Sequence, residues 1–166
     1  MTSTGYRWEL AADPAEVHDL LCASDRFQAG RTGTAAPVRN PGSTAAHVSA
    51  GRVHLLRDGL LPTAMFTLVD SAPFEAPPDT FPPARRPVYL TRLAVRPEAA
   101  GSGSLAGMMC VRRAITTATE QGADALRCEA NPALAHTVEL LEALGFVVAA
   151  RPADSRVLHL HRVLAR

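Results

Sequence analysis

The chain has 166 residues, 47% of them apolar, and a formal charge of +1 from 17 basic and 16 acidic side chains. That length and apolar content suit one domain with its own core. The charge balance excludes a general attraction to nucleic acid, to membranes or to acidic partners. Every basic residue is arginine, a mark of GC-rich coding, so the choice of Arg over Lys carries little chemical meaning. The three cysteines, Cys22, Cys110 and Cys128, fit no zinc spacing and no disulfide framework. They are expected as small buried apolar residues in a reducing compartment. No signal-like segment and no apolar stretch of bilayer length occurs, so a soluble cytoplasmic domain is expected.

Tyr6, Trp8 and Leu10 alternate with polar residues and predict a first strand. Asp13-Pro14 then forms a helix start, with Asp13 as the cap and Val17, Leu20 and Leu21 on the apolar face. From Gln28 to Ala50 small residues and prolines dominate, which reads as a long loop or a short helix with a loose flank. Val53–Leu56 and Met65–Val69 predict a hairpin turning at Asp58-Gly59. Pro73 to Pro87 holds six prolines and reads as a surface loop. Val88 to Val95 is the strongest strand.

A small-residue loop follows, and then a helix carrying Leu105, Met108, Met109, Ile115 and Ala118 at helical spacing, stopped by Gly122. Met108 and Met109 are expected in the core. Ala125 to Ala130 predicts a strand. Asn131-Pro132 is expected to cap a helix lined by Leu134, Val138, Leu141 and Leu144 and ended by Gly145. Phe146–Ala149 and Val157–Val163 close the chain as strands. This order implies an α/β or α+β single domain over 1–166, with a mixed central sheet flanked by helices.

Between about Val88 and Val148 the chain resembles the GNAT family of N-acyltransferases. The resemblance rests on "YLTRLAVRPEAAGSG", on the helix after it, and on "EANPALAHTVELLEALGF". It implies a GNAT-like fold and an acyl-CoA donor, acetyl-CoA or another acyl-CoA. Backbone at Leu93, Ala94 and Val95 would bond the pantetheine arm. Gly101, Ser102, Gly103 and Ser104 would hold the pyrophosphate at a helix N-terminus, where free N–H groups favour an anion, and Arg96 is a candidate for a cofactor phosphate. The loop departs from the family signature. Ala100 stands at the usual Gln/Arg position, Gly103 retains the central glycine, and Leu105 replaces a final small residue. The family's frequent tyrosine acid falls on Leu141, and its strand carboxylate on Thr91 and Arg92.

Acyl transfer to an amine needs a proton acceptor. Glu129, on the strand after the helix, and His47, in the segment where the family places acceptor contacts, are the candidate catalytic residues. Glu9, His18 and His54 are further titratable groups, His54 reading as a core histidine. Thr91 is a candidate for a substrate hydrogen bond. His159 and His161 alternate on the last strand without a third ligand signal, so no metal is expected. Cys110 and Cys128 lack a histidine motif, which argues against covalent catalysis.

The expected acceptor is a small-molecule or peptide amine, with specificity in residues 28–50 and in the proline-rich loop. Neither nucleic acid nor membrane is an expected partner, and the closing strands could pair in a homodimer. Two alternatives keep the fold. In one the donor is carried on a protein or a tRNA met by Arg31, Arg39, Arg85 and Arg86. In the other the domain is inactive and binds a ligand or a partner.

Overall fold

The computed structural model describes residues 5–100, 105–153 and 156–165. Seven strands form one sheet in the order β1-β2-β3-β4-β5-β7-β6. They are β1 (Tyr6–Leu10), β2 (Val53–Asp58), β3 (Leu61–Val69), β4 (Pro87–Val95), β5 (Ala125–Ala130), β6 (Val147–Ala150) and β7 (Leu158–Val163). The helices are α1 (Pro14–Thr32), α2 (Pro41–Ser49), the short α3 (Pro97–Ala100), α4 (Ala106–Glu120) and α5 (Ala135–Ala143). β4 and β5 pair in parallel while β1–β2, β2–β3, β5–β7 and β6–β7 are antiparallel, so the expected mixed sheet is present. Among the described residues no helix is long and apolar enough to cross a membrane.

The chain divides into two compact units, Met1–Thr67 with Arg92–Cys110, and Leu68–Thr91 with Val111–Arg166. β3, β4 and α4 each contribute a part to either unit.

The first unit is built on the β1–β2–β3 meander, with α1 and α2. The Asp13 carboxylate accepts from the N–H groups of Ala15 and Glu16, as the sequence implied. Val17, Leu20, Leu21 and Ser24 recur at helical spacing and are buried. The three apolar ones join Val48 of α2, Val53 and Leu55 of β2, Met65 of β3 and Ala94 of β4 in one core. Phe66 carries Trp8 edge-on at 5.5 Å and His54 stacked at 4.7 Å, which places His54 against the core as expected. Arg57 donates to Glu9 at 2.6 Å and to both carboxylate oxygens of Glu16 at 2.7 and 2.6 Å, tying β1 and β2 to α1. Glu9 is therefore committed to an ion pair, and its candidacy as a base lapses.

Residues 28–50 are more regular than their composition implied. α1 runs on to Thr32 and ends at Gly33 in the left-handed region (φ 70°). α2 starts after Asn40, whose side chain accepts from Gly42 N. Good caps at both helix ends outweigh weak apolar periodicity here.

In the second unit β5 is central, paired with β4 over Pro87–Leu90 and with β7 along its whole length. Tyr89, Arg127, His161 and Val147 lie opposite one another across four strands. The proline-rich segment is a loop, as read, and Phe74 and Phe81 fold back onto Tyr89 and His159 at 5.1–6.5 Å. Asp124 fixes the end of that loop by accepting from the backbone N–H groups of Arg85 and Arg86.

Two helix readings are corrected. Asn131 does not cap α5: its side chain accepts from Ala133 N in a local turn, and the helix begins at Ala135 without a side-chain cap. The apolar face of α4 is also rotated. Ala106, Cys110, Val111, Ala114 and Ala118 are buried, while Met108 and Met109 are half-buried, because small residues allow close packing.

Candidate functional site

β4 organises the site residues of the first unit. Its ladder with β5 ends at the pair Leu90–Cys128, yet the strand continues from Thr91 to Val95. Just past the ladder, Arg92 has φ 52°, a left-handed conformation inside a strand. For a residue with a Cβ this costs about 1 kcal/mol or more and persists only where the surroundings enforce it. Arg92 Nη1 donates to Thr44 Oγ1 at 3.0 Å and Nη2 to Ser43 Oγ at 2.9 Å, both on α2.

The network continues into α1. Thr44 Oγ1 lies 3.2 Å from His18 Nδ1, and His18 Nε2 lies 3.5 Å from Cys22 Sγ. With the His18 hydrogen on Nε2, Thr44 donates to Nδ1 and His18 donates to sulfur, so every group has a role. Cys22 is thus a half-buried partner of a histidine rather than the expected core residue. Cys110 and Cys128 are buried as expected, and burial pushes the Cys128 thiol up to about 12. Both thiols stay protonated and inert.

His47 lies four residues after Ser43, on the same face of α2. Its Nδ1 is buried and has no hydrogen-bond partner among the described residues. Burial first, then the charges of Arg92 and Arg52, hold its pKa below the ordinary histidine value, so the ring is neutral at pH 7. Nearby, Arg39 grips Asp25 of α1 with two hydrogen bonds at 2.7 and 3.1 Å. Ser24 Oγ accepts from Val95 N at 3.3 Å.

The other predicted residues are placed as follows. Leu93 is half-buried and Ala94 lies in the core. Arg96 Nε donates to the Pro62 carbonyl at 2.6 Å, and its backbone N–H donates to Thr63 O, so the side chain is anchored to β3. Gly101, Ser102, Gly103 and Ser104 lie outside the described residues. Leu105, expected to crowd the loop, is 60% exposed and points away from any packed interior.

Glu129 belongs to the second unit, opposite His159 in the β5–β7 ladder. Its Oε2 is 3.3 Å from His159 Nε2, and the carboxylate is one-third exposed while the imidazole is buried. The two groups are close but not aligned for a hydrogen bond, and neither ring nitrogen of His159 has a partner among the described residues. The two candidate bases, His47 and Glu129, therefore fall in different units. Among the described residues no three His, Cys, Asp or Glu side chains are grouped to hold a metal.

The sequence reading missed Arg127, which is 8% exposed. Its Nη2 donates to Pro82 O at 2.6 Å, Nη1 to Tyr89 Oη at 3.2 Å and Nε to His161 Nδ1 at 3.3 Å. The rings of Phe81 and Tyr89 lie 4.8 and 5.9 Å from its guanidinium carbon. It lines a cavity of about 900 Å³ with Phe74, Phe81, Tyr89 and Val147. Arg92 was noted only as the place of a missing carboxylate. No spacing rule signals either role, because both depend on which loop or helix meets the strand.

The fold as a whole has counterparts among solved structures. A GNAT acetyltransferase from Streptococcus agalactiae superimposes with a TM-score of 0.73 over 98% of this chain and 97% of its own, at 16% identity. The fold is that of the GNAT acetyltransferases. The NatC complex bound to Gag peptide and CoA contains a chain with a TM-score of 0.72 and 13% identity, covering 96% of this chain and 99% of that one. Salmonella typhimurium yncA with its cofactor acetyl-CoA gives 0.68 and 18% identity, covering 98% and 95%. No protein-family model matches the sequence, and no curated protein matches it. The GNAT likeness is thus carried by three-dimensional structure.

Proposed function

We propose that the chain is an N-acyltransferase that moves an acyl group, acetyl in the simplest case, from acyl-CoA to the amine of a small molecule or peptide. The carrying observation is the stretch of β4 from Thr91 to Val95, which runs past its ladder with β5 inside a GNAT fold. Backbone N–H groups at Leu93 to Val95 would bond the pantetheine arm and polarise the thioester carbonyl. Ser24 Oγ already accepts from Val95 N, so a hydroxyl holds a place that a carbonyl oxygen can take. The phosphates would be held at the N-terminus of α4 chiefly by backbone.

The amine attacks the thioester carbonyl, a C–N bond forms, the C–S bond breaks, and the CoA thiolate leaves. The proton shed by nitrogen passes to a base and then to that thiolate. His47 is the base favoured by its environment, since it is neutral at pH 7, and Nε2 would take the proton because Nδ1 is buried. Glu129, backed by His159, is the second candidate.

Calorimetric titration with acetyl-CoA, followed by thiol-release assays over a panel of amines, tests this reading. Micromolar binding with amine-dependent thiol release is expected. An absence of binding below millimolar acetyl-CoA would overturn it. Binding without release on any amine would convert the protein into a ligand-binding member of the fold.

A further inference from the structure

Among the arginines of the first unit with side-chain hydrogen bonds, Arg92 and Arg96 meet neutral groups only, Arg96 the Pro62 carbonyl. Arg57 is matched by Glu9 and Glu16, and Arg39 by Asp25. Arg92 meets only two neutral hydroxyls, Ser43 and Thr44, and no carboxylate lies within ion-pair distance of it among the described residues. Two of its five N–H donors are used, and the hydroxyls fix the plane of the fork. The one carboxylate with influence on it, Asp25, is already gripped by both nitrogens of Arg39. A half-buried cation with spare donors and no counter-charge is an unfinished ion pair.

The backbone strain points the same way. Arg92 keeps a left-handed φ of 52° inside a strand while its side chain is bonded to α2. On α2, one turn beyond Ser43, stands neutral His47 with its unpartnered Nδ1. Arg92 and His47 are thereby neighbours in the first unit, close enough for the Arg92 charge to act on the imidazole, and since Nδ1 is buried, Nε2 is the nitrogen left to accept a proton.

We propose that the acceptor is an amine that also carries a carboxylate, of the free amino acid type, with the carboxylate bound by Arg92 and the amine presented to His47. This rests on the acyltransferase reading given above. The carboxylate forms the charge-assisted fork that Arg92 lacks, and neutral His47 takes the proton released as the amine attacks. Ser43 and Thr44 act as positioning residues that hold the guanidinium in place.

Two measurements on the full chain test the proposal. The first is thiol release from acetyl-CoA with amino acids, their primary amides and the corresponding decarboxylated amines. The second is calorimetric titration of the same amino acids and amines without acetyl-CoA. Amino acids are expected to show kcat/KM higher than the amines without a carboxylate by about 10- to 100-fold, the worth of a hydrogen-bonded ion pair. Arg92→Gln should remove that preference by raising KM for amino acids, with KM for acetyl-CoA unchanged and circular dichroism native. Arg92→Lys should recover part of it.

Equal turnover of amines with and without a carboxylate, or equal loss on both in Arg92→Gln, would overturn the proposal and leave acyl transfer standing. Saturable amino-acid binding that is lost in Arg92→Gln would support it even where turnover is absent. An absence of both carboxylate-selective binding and turnover would overturn it. Failure of acetyl-CoA to bind would instead count against the acyltransferase reading.

Discussion

Arg92 in the first unit and Arg127 in the second are both arginines without a carboxylate partner, and they end in opposite conditions. Arg127 sits in a regular ladder, gives hydrogen bonds to a carbonyl, a phenol and an imidazole, and is flanked by the rings of Phe81 and Tyr89. Its charge is spread over three acceptors and two π faces. Arg92 sits in a strained backbone and spends two donors on two hydroxyls. Burial alone therefore does not describe the setting of either arginine, because the groups that meet them differ.

The largest expected effect tests the structural half of this contrast. Arg127→Met should strip the proline-rich loop of its tie to β5 and leave Pro82 O and Tyr89 Oη without their donor. The loss should be about 3 kcal/mol, a fall in Tm of roughly 6–12 °C for a chain of this size. Arg92→Gln, which removes an unfinished ion pair, should lower Tm by no more than about 4 °C. Thermal unfolding of both variants followed by circular dichroism measures the difference. Equal losses would erase the contrast between the two sites.

Most of the framework was legible because it is written in local chemistry. Asp13-Pro14, the Asp58-Gly59 turn, the proline-rich loop and Gly145 each act within a few residues, and each appears where expected. The helix face of α4 was misread because large apolar residues at helical spacing look like a core stripe. The buried stripe consists of Ala106, Cys110, Val111, Ala114 and Ala118, most of whose members have the merit of small size. The site was less legible still. β4 and its approach to α4 carried a family pattern, but the conformation of Arg92 and its hold on Ser43 and Thr44 depend on α2, some fifty residues earlier. His47 and Glu129 were named by residue type, and only the structure separates their surroundings.

A smaller effect compares how the two units end their first-described helices. Gly33 closes α1 at φ 70° with nothing within 4 Å of an added Cβ, whereas Gly145 follows α5 at φ 91° with Arg162 Nε 3.1 Å from that position. Gly33→Ala should cost about 1 kcal/mol, the left-handed penalty alone. Gly145→Ala should cost about 2 kcal/mol, because Arg162 must also give up part of its 2.8 Å bond to Leu144 O. Urea unfolding gives both values. A Gly145→Ala loss no larger than that of Gly33→Ala would show that Arg162 swings aside without cost.

The smallest effect is a pH dependence shared by the two units. Burial first and then neighbouring arginines, Arg92 with Arg52 for His47 and Arg127 for His161, hold both histidines below the ordinary pKa. His161 Nδ1 also accepts from Arg127 Nε, so the neutral ring is the one the fold uses. The unfolded chain takes up protons at these histidines near pH 6.5, before the folded one does. Stability from both is therefore complete above about pH 6.5 and is lost as the pH falls from there toward the lower folded values. Urea midpoints measured from pH 7.5 to 5.0 should decline on the acid side. The decline should be shallower in His161→Gln, which keeps an acceptor for Arg127, and in His47→Gln. If His161→Gln leaves the slope unchanged while His47→Gln flattens it, the acid sensitivity belongs to the first unit alone, and the shell around Arg127 is tolerant of a protonated neighbour.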